Sequence, residues 1–207
     1  WVDQIARLWP VDGVVGENGG LWFWHDGHKL QRRFLQDPAT RTGNRERLIT
    51  LGERILAEVP GAALASDQPY RELDLAVDFC EDVEPLGDAA IDRIVTLFEQ
   101  AGARCKVSSI HVNGWFGTFD KLEGCRRFVA DRWGEALDVD QWLYVGDSAN
   151  DEPMFRAFPL GTGVANVRRF LPRMSHWPAF IAEHEGGAGF AAIARRVLEH
   201  RAPEIQE

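Results

Sequence analysis

Several short stretches in the middle of the chain have an apolar residue at every second position. In ELDLAVDF these residues run from Leu73 to Phe79 on one face, which is typical of a half-buried strand. RCKVSSIHV predicts a further strand. LWFWHDGHKLQRRF predicts a hairpin, because Asp26-Gly27 supplies the residues that a tight primed turn needs.

Apolar residues that recur three or four positions apart predict helices between these strands. The predicted helices are residues 2–8, about 45–59, the stretch DAAIDRIVTLFEQAG with Asp88 as its cap, about 121–137, and 190–200. The polar residues 37–44 are predicted to form a loop. In the last third of the chain, the apolar runs WLYV, LGTGVAN and AFIAE alternate with helices, as strands do in parallel α/β layers.

Composition excludes several classes of protein. The chain has 207 residues, and 45% of them are hydrophobic, which is enough for a core. A net charge of −9 disfavours binding to nucleic acid or to an anionic membrane surface, and no apolar run approaches the length of a membrane span. The three cysteines, an odd number without a C-x-x-C pair, predict free thiols in a cytoplasmic protein.

The candidate chemistry lies in YVGDSANDEPMF. Asp147 and Asp151 follow the apolar run WLYV, and ligands of open α/β sheets bind at the carboxyl ends of strands. Carboxylate oxygens suit Mg²⁺, and Ser148 and Asn150 can bond phosphate oxygens. The alternative is a simple turn, since Gly, Asp, Ser and Asn are common turn residues. An EF-hand loop is excluded, because Ala149 occupies its third position.

Lys121 opens a predicted helix, where a cation beside helix N–H groups can hold a phosphate. Taken by itself, Lys121 is better explained as a solvated surface lysine. Lys121 precedes the strand that leads into GDSAND, and this specific order of the two motifs favours a functional role for both.

In that order the two motifs resemble those of the haloacid dehalogenase superfamily of phosphatases. The match is to the branch with a large inserted cap, the Cof-type and sucrose-phosphatase-like group, whose segments before and after the cap are similar to VVGENGG and GVAN here. The resemblance implies an α/β fold with a Rossmann-like parallel-sheet core and an inserted α+β cap. Residues 1–20 and 116–207 would form the core, and residues 21–115 the cap.

The resemblance also implies a reaction, in which a phosphoryl group passes to an aspartate and then to water. Lys121 and Asp147 would be catalytic, and Asp147 and Asp151 would hold Mg²⁺. Asn150 and Ser148 would bind the phosphate together with Lys121. The cap would select the substrate, with Asn18, Arg71, His111 and Asn113 as candidates. Taken one by one, each is better explained as a structural polar group.

One departure from the family is large. The D-x-D-G-[T/S] motif, which carries the family's aspartate nucleophile, does not occur here, nor does the Ser or Thr of its second motif. We therefore expect the sequence to be part of a longer protein, with a missing N-terminal segment or a separate chain completing the core sheet.

The expected function is hydrolysis of a small phosphorylated metabolite, in particular a sugar phosphate, with Mg²⁺. A phosphomutase or a phosphonatase-like relative is the enzyme alternative. A non-catalytic fragment or binding module that retains the fold is the alternative from another class. The sequence does not name the substrate or the oligomeric state.

Overall fold

The computed structural model describes residues 1–200, which divide into two compact units. The first covers Trp1–Leu137, and the second begins at Asp138. The predicted α/β class is confirmed, with antiparallel sheets in the first unit and a parallel sheet in the second. The predicted division into core and cap stays a prediction.

The first sheet is a meander of three antiparallel strands, preceded by a helix. Helix α1 covers Val2–Leu8, and the strands in the order β1-β2-β3 are Val14–Gly16, Leu21–His25 and Leu30–Phe34. The predicted first helix and hairpin are therefore confirmed. The hairpin turn is longer than predicted, because residues 26–29 separate β2 from β3. The Asp26 carboxylate accepts the backbone N–H groups of His28 and Lys29 and holds this loop.

The second sheet is antiparallel, with strand order β4-β5-β7-β6. Its strands are Ala63–Leu64, Asp74–Asp78, Arg104–Val107 and His111–Trp115, and the helices α2 and α3 are Pro38–Glu58 and Asp88–Gln100. Helices and sheet share one core that includes Ile55, Val77, Phe98 and Val112. Strand β5 is buried along its whole length, so the prediction of a half-buried strand was wrong.

Three sequence predictions in this unit also need correction. Residues 38–44 are helical, because Asp37 caps α2 by accepting the N–H groups of Ala39 and Thr40 and proline is tolerated in the first turn. Asp88 lies in the first turn of α3, and Gly87 is the cap residue. The stretch RCKVSSIHV forms the hairpin β6–β7, since Ser108 turns the chain with its hydroxyl.

Helix α4, Lys121–Trp133, completes the first unit and is shorter than predicted. It ends because Gly134 adopts a left-handed conformation, with φ of 73°, which is a common helix C-terminus.

The second unit contains a sheet of three parallel strands in the order β10-β9-β8. Its elements in chain order are β8 at Leu143–Gly146, α5 at Glu152–Ala157, β9 at Leu160–Gly163, β10 at Phe180–Ile181 and α6 at Gly186–His200. Phe155, Val167 and Met174 form the buried core on this sheet. The predicted alternation of strands and helices is confirmed, although α6 begins earlier than residue 190.

Within residues 1–200, none of the helices combines the length and the apolar character that crossing a membrane would require.

We predict that Gly114→Ala destabilises the first unit. A Cβ at Gly114 would lie 2.1 Å from the ring of Phe98, which is fully buried, so the ring or the strand must move. Overpacking of this kind costs about 1–3 kcal/mol, to be measured by urea denaturation. Gly43→Ala is the control, since nothing lies near its Cβ position in α2 and the helix should gain roughly 0.5–1 kcal/mol. Equal stability of Gly114→Ala and the unmodified protein would contradict the packing described here.

Candidate functional site

The turn between β8 and α5 is built around the carboxylate of Asp151. One oxygen, Oδ2, accepts the backbone N–H groups of Asp147 at 2.9 Å and of Ser148 at 3.2 Å. The other, Oδ1, accepts the hydroxyl of Tyr144 at 2.6 Å. Asp151 is only 2% exposed, so these charge-assisted hydrogen bonds are shielded from water. The carboxylate therefore fixes the backbone on which Asp147 lies.

Small and polar residues complete this turn. A Cβ at Gly146 would lie 2.7 Å from Oδ2 of Asp151, so only glycine lets the carboxylate approach the end of the strand. Ser148 forms a capping box with Asp151, and its hydroxyl donates to Oδ1 of Asn150 at 2.9 Å. Gly146 and Ser148 are common turn residues, and here they allow the Asp151 carboxylate to bond the backbone amides of the turn.

The fit of Mg²⁺ to this turn differs between its two acids. Both oxygens of Asp151 already accept hydrogen bonds, which leaves little room for direct coordination. Asp147 is half-buried at the carboxyl end of a parallel strand, and its carboxylate is the better ligand candidate. Mg²⁺ usually takes one or two carboxylates together with waters and phosphate oxygens, so a single aspartate fits as part of such a site. Within residues 1–200, no three His, Cys, Asp or Glu side chains are grouped to hold a metal ion by themselves.

Lys121 is the first residue of α4, as the sequence predicted. Asp120 caps the helix by accepting the N–H of Glu123. One turn into α4, a Cβ at Gly124 would lie 2.5 Å from the Cα of Gly19, so α4 packs closely on the loop that contains Asn18. The role of Lys121 together with Asp147 stays a prediction.

Three of the four candidate substrate residues meet around Asp74, which is buried on β5. The amide of Asn18 donates to Asp74 at 2.9 Å, and the guanidinium of Arg71 donates to it at 3.0 Å. Arg71 also lies 3.5 Å from the side-chain oxygen of Asn113 and forms a second ion pair with Asp67. His111 does not join this cluster, because its Nε2 lies 2.9 Å from the carboxylate of Glu81.

Sequence reasoning missed Glu17, which ties the loop before β2 to the start of β5. Its carboxylate accepts the backbone N–H groups of Glu72, Leu73 and Asp74. Glu17 and Asn18 have φ of 45° and 55°, an uncommon conformation that turns both side chains toward the same segment. The run Glu-Asn-Gly-Gly was the available signal, because Asn and Gly tolerate such turns.

Burial changes the ionisation of this cluster. Burial, followed by repulsion from Asp74, raises the pKa of Glu17 to about 7 in spite of the backbone N–H groups that it accepts. Burial also raises the pKa of Asp74, against the opposing effect of Arg71. Although burial disfavours the Arg71 guanidinium charge, Asp74 and Asp67 raise its pKa above the usual value. Arg71 thus stays charged, and two carboxylates compensate it.

A cavity of about 760 Å³ adjoins this cluster within the first unit. Its lining includes the polar residues Glu17, Asp67, Arg71 and Glu72 and the apolar residue Phe23. Its size is within the range of sites that hold small molecules.

No family model matches this sequence. No curated protein matches it either. Solved structures do match. A protein of Thermoplasma acidophilum is 20% identical, with a TM-score of 0.64 over 94% of this chain and 76% of that chain. The sucrose-phosphatase of Synechocystis, solved with sucrose and phosphate, is 17% identical, with a TM-score of 0.59 over 91% of this chain and 75% of that chain.

A third structure names the superfamily directly. BT1666 of Bacteroides thetaiotaomicron, described as a phosphatase of the haloalkanoate (HAD) superfamily, is 16% identical, with a TM-score of 0.56. It aligns with 90% of this chain over 74% of its own length. The structure is thus an α/β fold of the kind seen in these phosphatases. The motifs predicted the haloacid dehalogenase superfamily, and the structure agrees with that prediction at the level of the fold.

We predict that Glu17 makes stability fall as pH rises. A folded-state pKa of about 7, above the ordinary value of 4.5, means that the folded chain retains a proton that the unfolded chain has lost between these pH values. The stabilisation from protonated Glu17 is therefore complete below pH 4.5 and is lost as the pH rises through 7.

Glu17→Gln should flatten this pH dependence, since glutamine retains an oxygen acceptor without titrating. Urea denaturation between pH 5 and 8 measures it, with Glu53→Gln on the exposed face of α2 as the control. The same slope in Glu17→Gln and the unmodified protein would show that Glu17 does not titrate in this range.

Proposed function

We propose that this chain is the larger part of a Mg²⁺-dependent phosphatase that hydrolyses a small phosphorylated metabolite, with sugar phosphates as the substrate class. The observation that carries the proposal is the turn after β8, where the Asp151 carboxylate fixes the backbone of Asp147. The likeness of the fold to the phosphatases described above supports the same reaction type.

In this proposal each residue of the two motifs has a separate task. Asp147 ligates the metal, and Asp151 keeps Asp147 in place. Lys121, at the start of α4, holds the phosphate and offsets the charge of the carboxylates, while Ser148 and Asn150 position the phosphate oxygens. Mg²⁺, when bound, supplies positive charge to the phosphoryl group.

The aspartate that attacks the phosphorus has no counterpart among the motifs of this sequence. D-x-D-G-[T/S], which supplies it in the family that the chain resembles, is absent here. We place the nucleophile in a segment of the complete gene product, or in a separate chain, outside the sequence described. Phosphoryl transfer to that aspartate and then to water completes the proposed reaction.

The cluster around Asp74 suits a neutral, hydroxyl-rich group rather than a second phosphate. Asp67 and Asp74 compensate Arg71, so the cluster offers paired donors and acceptors without a free positive charge. Asn18 and Asn113 add amide groups of the kind that bond sugar hydroxyls. We therefore assign Asn18, Arg71 and Asn113 to the sugar portion of the substrate, and we do not assign His111, which pairs with Glu81.

The proposed location is the cytoplasm. All three cysteines are free thiols, which suits a reducing compartment, and burial raises the pKa of Cys105 to about 11 and so keeps its thiol protonated. The acidic composition favours a small metabolite over nucleic acid or a membrane as the partner.

The second candidate function is that of a binding module without catalysis. It is favoured by one observation, the lack of a D-x-D-G-[T/S] motif in the sequence. Such a module would retain the ligand pocket and bind the sugar phosphate without hydrolysing it. Turnover by the complete gene product distinguishes the two candidates.

We predict that Asp147→Ala in the complete gene product lowers kcat for p-nitrophenyl phosphate by about 10²–10³-fold with Mg²⁺. That is the usual cost of removing one strong electrostatic partner of a transition state. Lys121→Ala should cost a similar factor. Asp140→Ala, an exposed aspartate before β8, is the control and should match the unmodified enzyme. Equal rates for Asp147→Ala and the unmodified enzyme would exclude the metal role, and binding without turnover in all variants would favour the binding module.

A further inference from the structure

We infer that Tyr144 is a positioning residue of the metal site, which acts on Mg²⁺ through Asp151. Its hydroxyl donates to Oδ1 of Asp151 at 2.6 Å, a short bond of the kind that a phenol makes to a carboxylate. The inference rests on the proposed function, in which Asp147 ligates the metal. It adds a residue that lies outside the GDSAND motif.

The carboxylate of Asp151 connects the ring of Tyr144 to the backbone of the turn. The carboxylate of Asp151 receives the Tyr144 hydroxyl on one oxygen and the backbone N–H groups of Asp147 and Ser148 on the other. A carboxylate is rigid and planar, so once Cβ and Cγ are held, the position of one oxygen determines that of the other. The Tyr144 hydroxyl therefore limits rotation of the group that holds the backbone of Asp147.

Packing of the aromatic ring fixes the position of the Tyr144 hydroxyl. The Tyr144 ring contacts two rings of the segment that follows the turn. Phe155 packs edge-on with ring centroids 5.8 Å apart, and Phe158 stacks at 5.7 Å with an angle of 29° between the ring planes. Both phenylalanines are buried, and Tyr144 itself lies on β8, which is paired with β9. The ring is thus held by packing that does not depend on its hydroxyl.

The Asp151 carboxylate also has little space in which to move. Gly146 leaves no space between strand and carboxylate, since a Cβ there would lie 2.7 Å from Oδ2. Asp151 is in addition almost wholly buried, so water is poorly placed to replace a lost hydroxyl donor. Removal of the hydroxyl should therefore loosen the turn while the aromatic packing remains.

The test uses Tyr144→Phe in the complete gene product. Calorimetric titration with Mg²⁺, without substrate, should show about 10–100-fold weaker binding, the usual cost of losing a partner that orients a metal ligand. The rate of p-nitrophenyl phosphate hydrolysis should fall at limiting Mg²⁺ and recover largely at saturating Mg²⁺, because Asp147 itself is intact. A defect of the reaction step that leaves Mg²⁺ binding intact would not be rescued by the ion.

Two controls separate this effect from a general loss of stability. Tyr70→Phe removes the hydroxyl of the only other tyrosine, which is 82% exposed, and should leave Mg²⁺ affinity unchanged. Val167→Ala opens a small cavity in the core of the same unit, so it should lower the melting temperature without changing Mg²⁺ affinity.

A double-mutant cycle with Asp151→Asn identifies the route of the effect. If Tyr144 acts through Asp151, adding Tyr144→Phe to Asp151→Asn should weaken Mg²⁺ binding by less than twofold further. Independent, multiplying effects would overturn the inference, as would unchanged Mg²⁺ affinity in Tyr144→Phe. If the unmodified protein neither binds Mg²⁺ nor hydrolyses the ester, the proposed function fails as well. If the unmodified protein binds Mg²⁺ and hydrolyses the ester, and Tyr144→Phe binds Mg²⁺ equally well, only the role of Tyr144 fails.

Discussion

The candidate site depends on one buried carboxylate that binds backbone rather than ligand. Asp151 accepts the amides of Asp147 and Ser148 and the hydroxyl of Tyr144, and glycine at position 146 makes room for it. A carboxylate in a buried position is costly unless it is hydrogen-bonded, and here the turn itself supplies the donors. The two acids of GDSAND thus have different tasks, since one shapes the turn and the other remains a candidate for the metal.

The first unit uses a similar device. Glu17 accepts three successive backbone N–H groups at the start of β5, and the neighbouring Asn18 bonds Asp74. Desolvation raises the pKa values of the half-buried Glu17 and the fully buried Asp74. Arg71 lies between Asp67 and Asp74 and limits the cost of burying these acids. A loop in an uncommon backbone conformation is thereby tied to a strand more than fifty residues away in sequence. A polar cluster held in this way is rigid before any ligand binds, as its proposed role in sugar binding requires.

Sequence patterns predicted the helices and strands whose ends depend on a few neighbouring residues. The strand that ends in GDSAND and the helix that Lys121 opens were both recognisable, because each combines an apolar period with turn or cap residues in a few consecutive positions. The start of α2 was missed, since the polar residues 38–44 resemble a loop and only the Asp37 cap shows otherwise. The hydrogen bonds of Glu17 could not be predicted from the sequence, because tertiary packing decides which backbone N–H groups it meets.

The most direct measurement is the location of Mn²⁺, in place of Mg²⁺, by anomalous scattering in crystals of the complete gene product. We expect an ion at the carboxylate of Asp147, at the roughly 2.1 Å typical of Mg²⁺ coordination, with Asp151 still bonded to the amides of Asp147 and Ser148. An ion bound directly by Asp151 with those amide bonds broken, or one far from this turn, would contradict it.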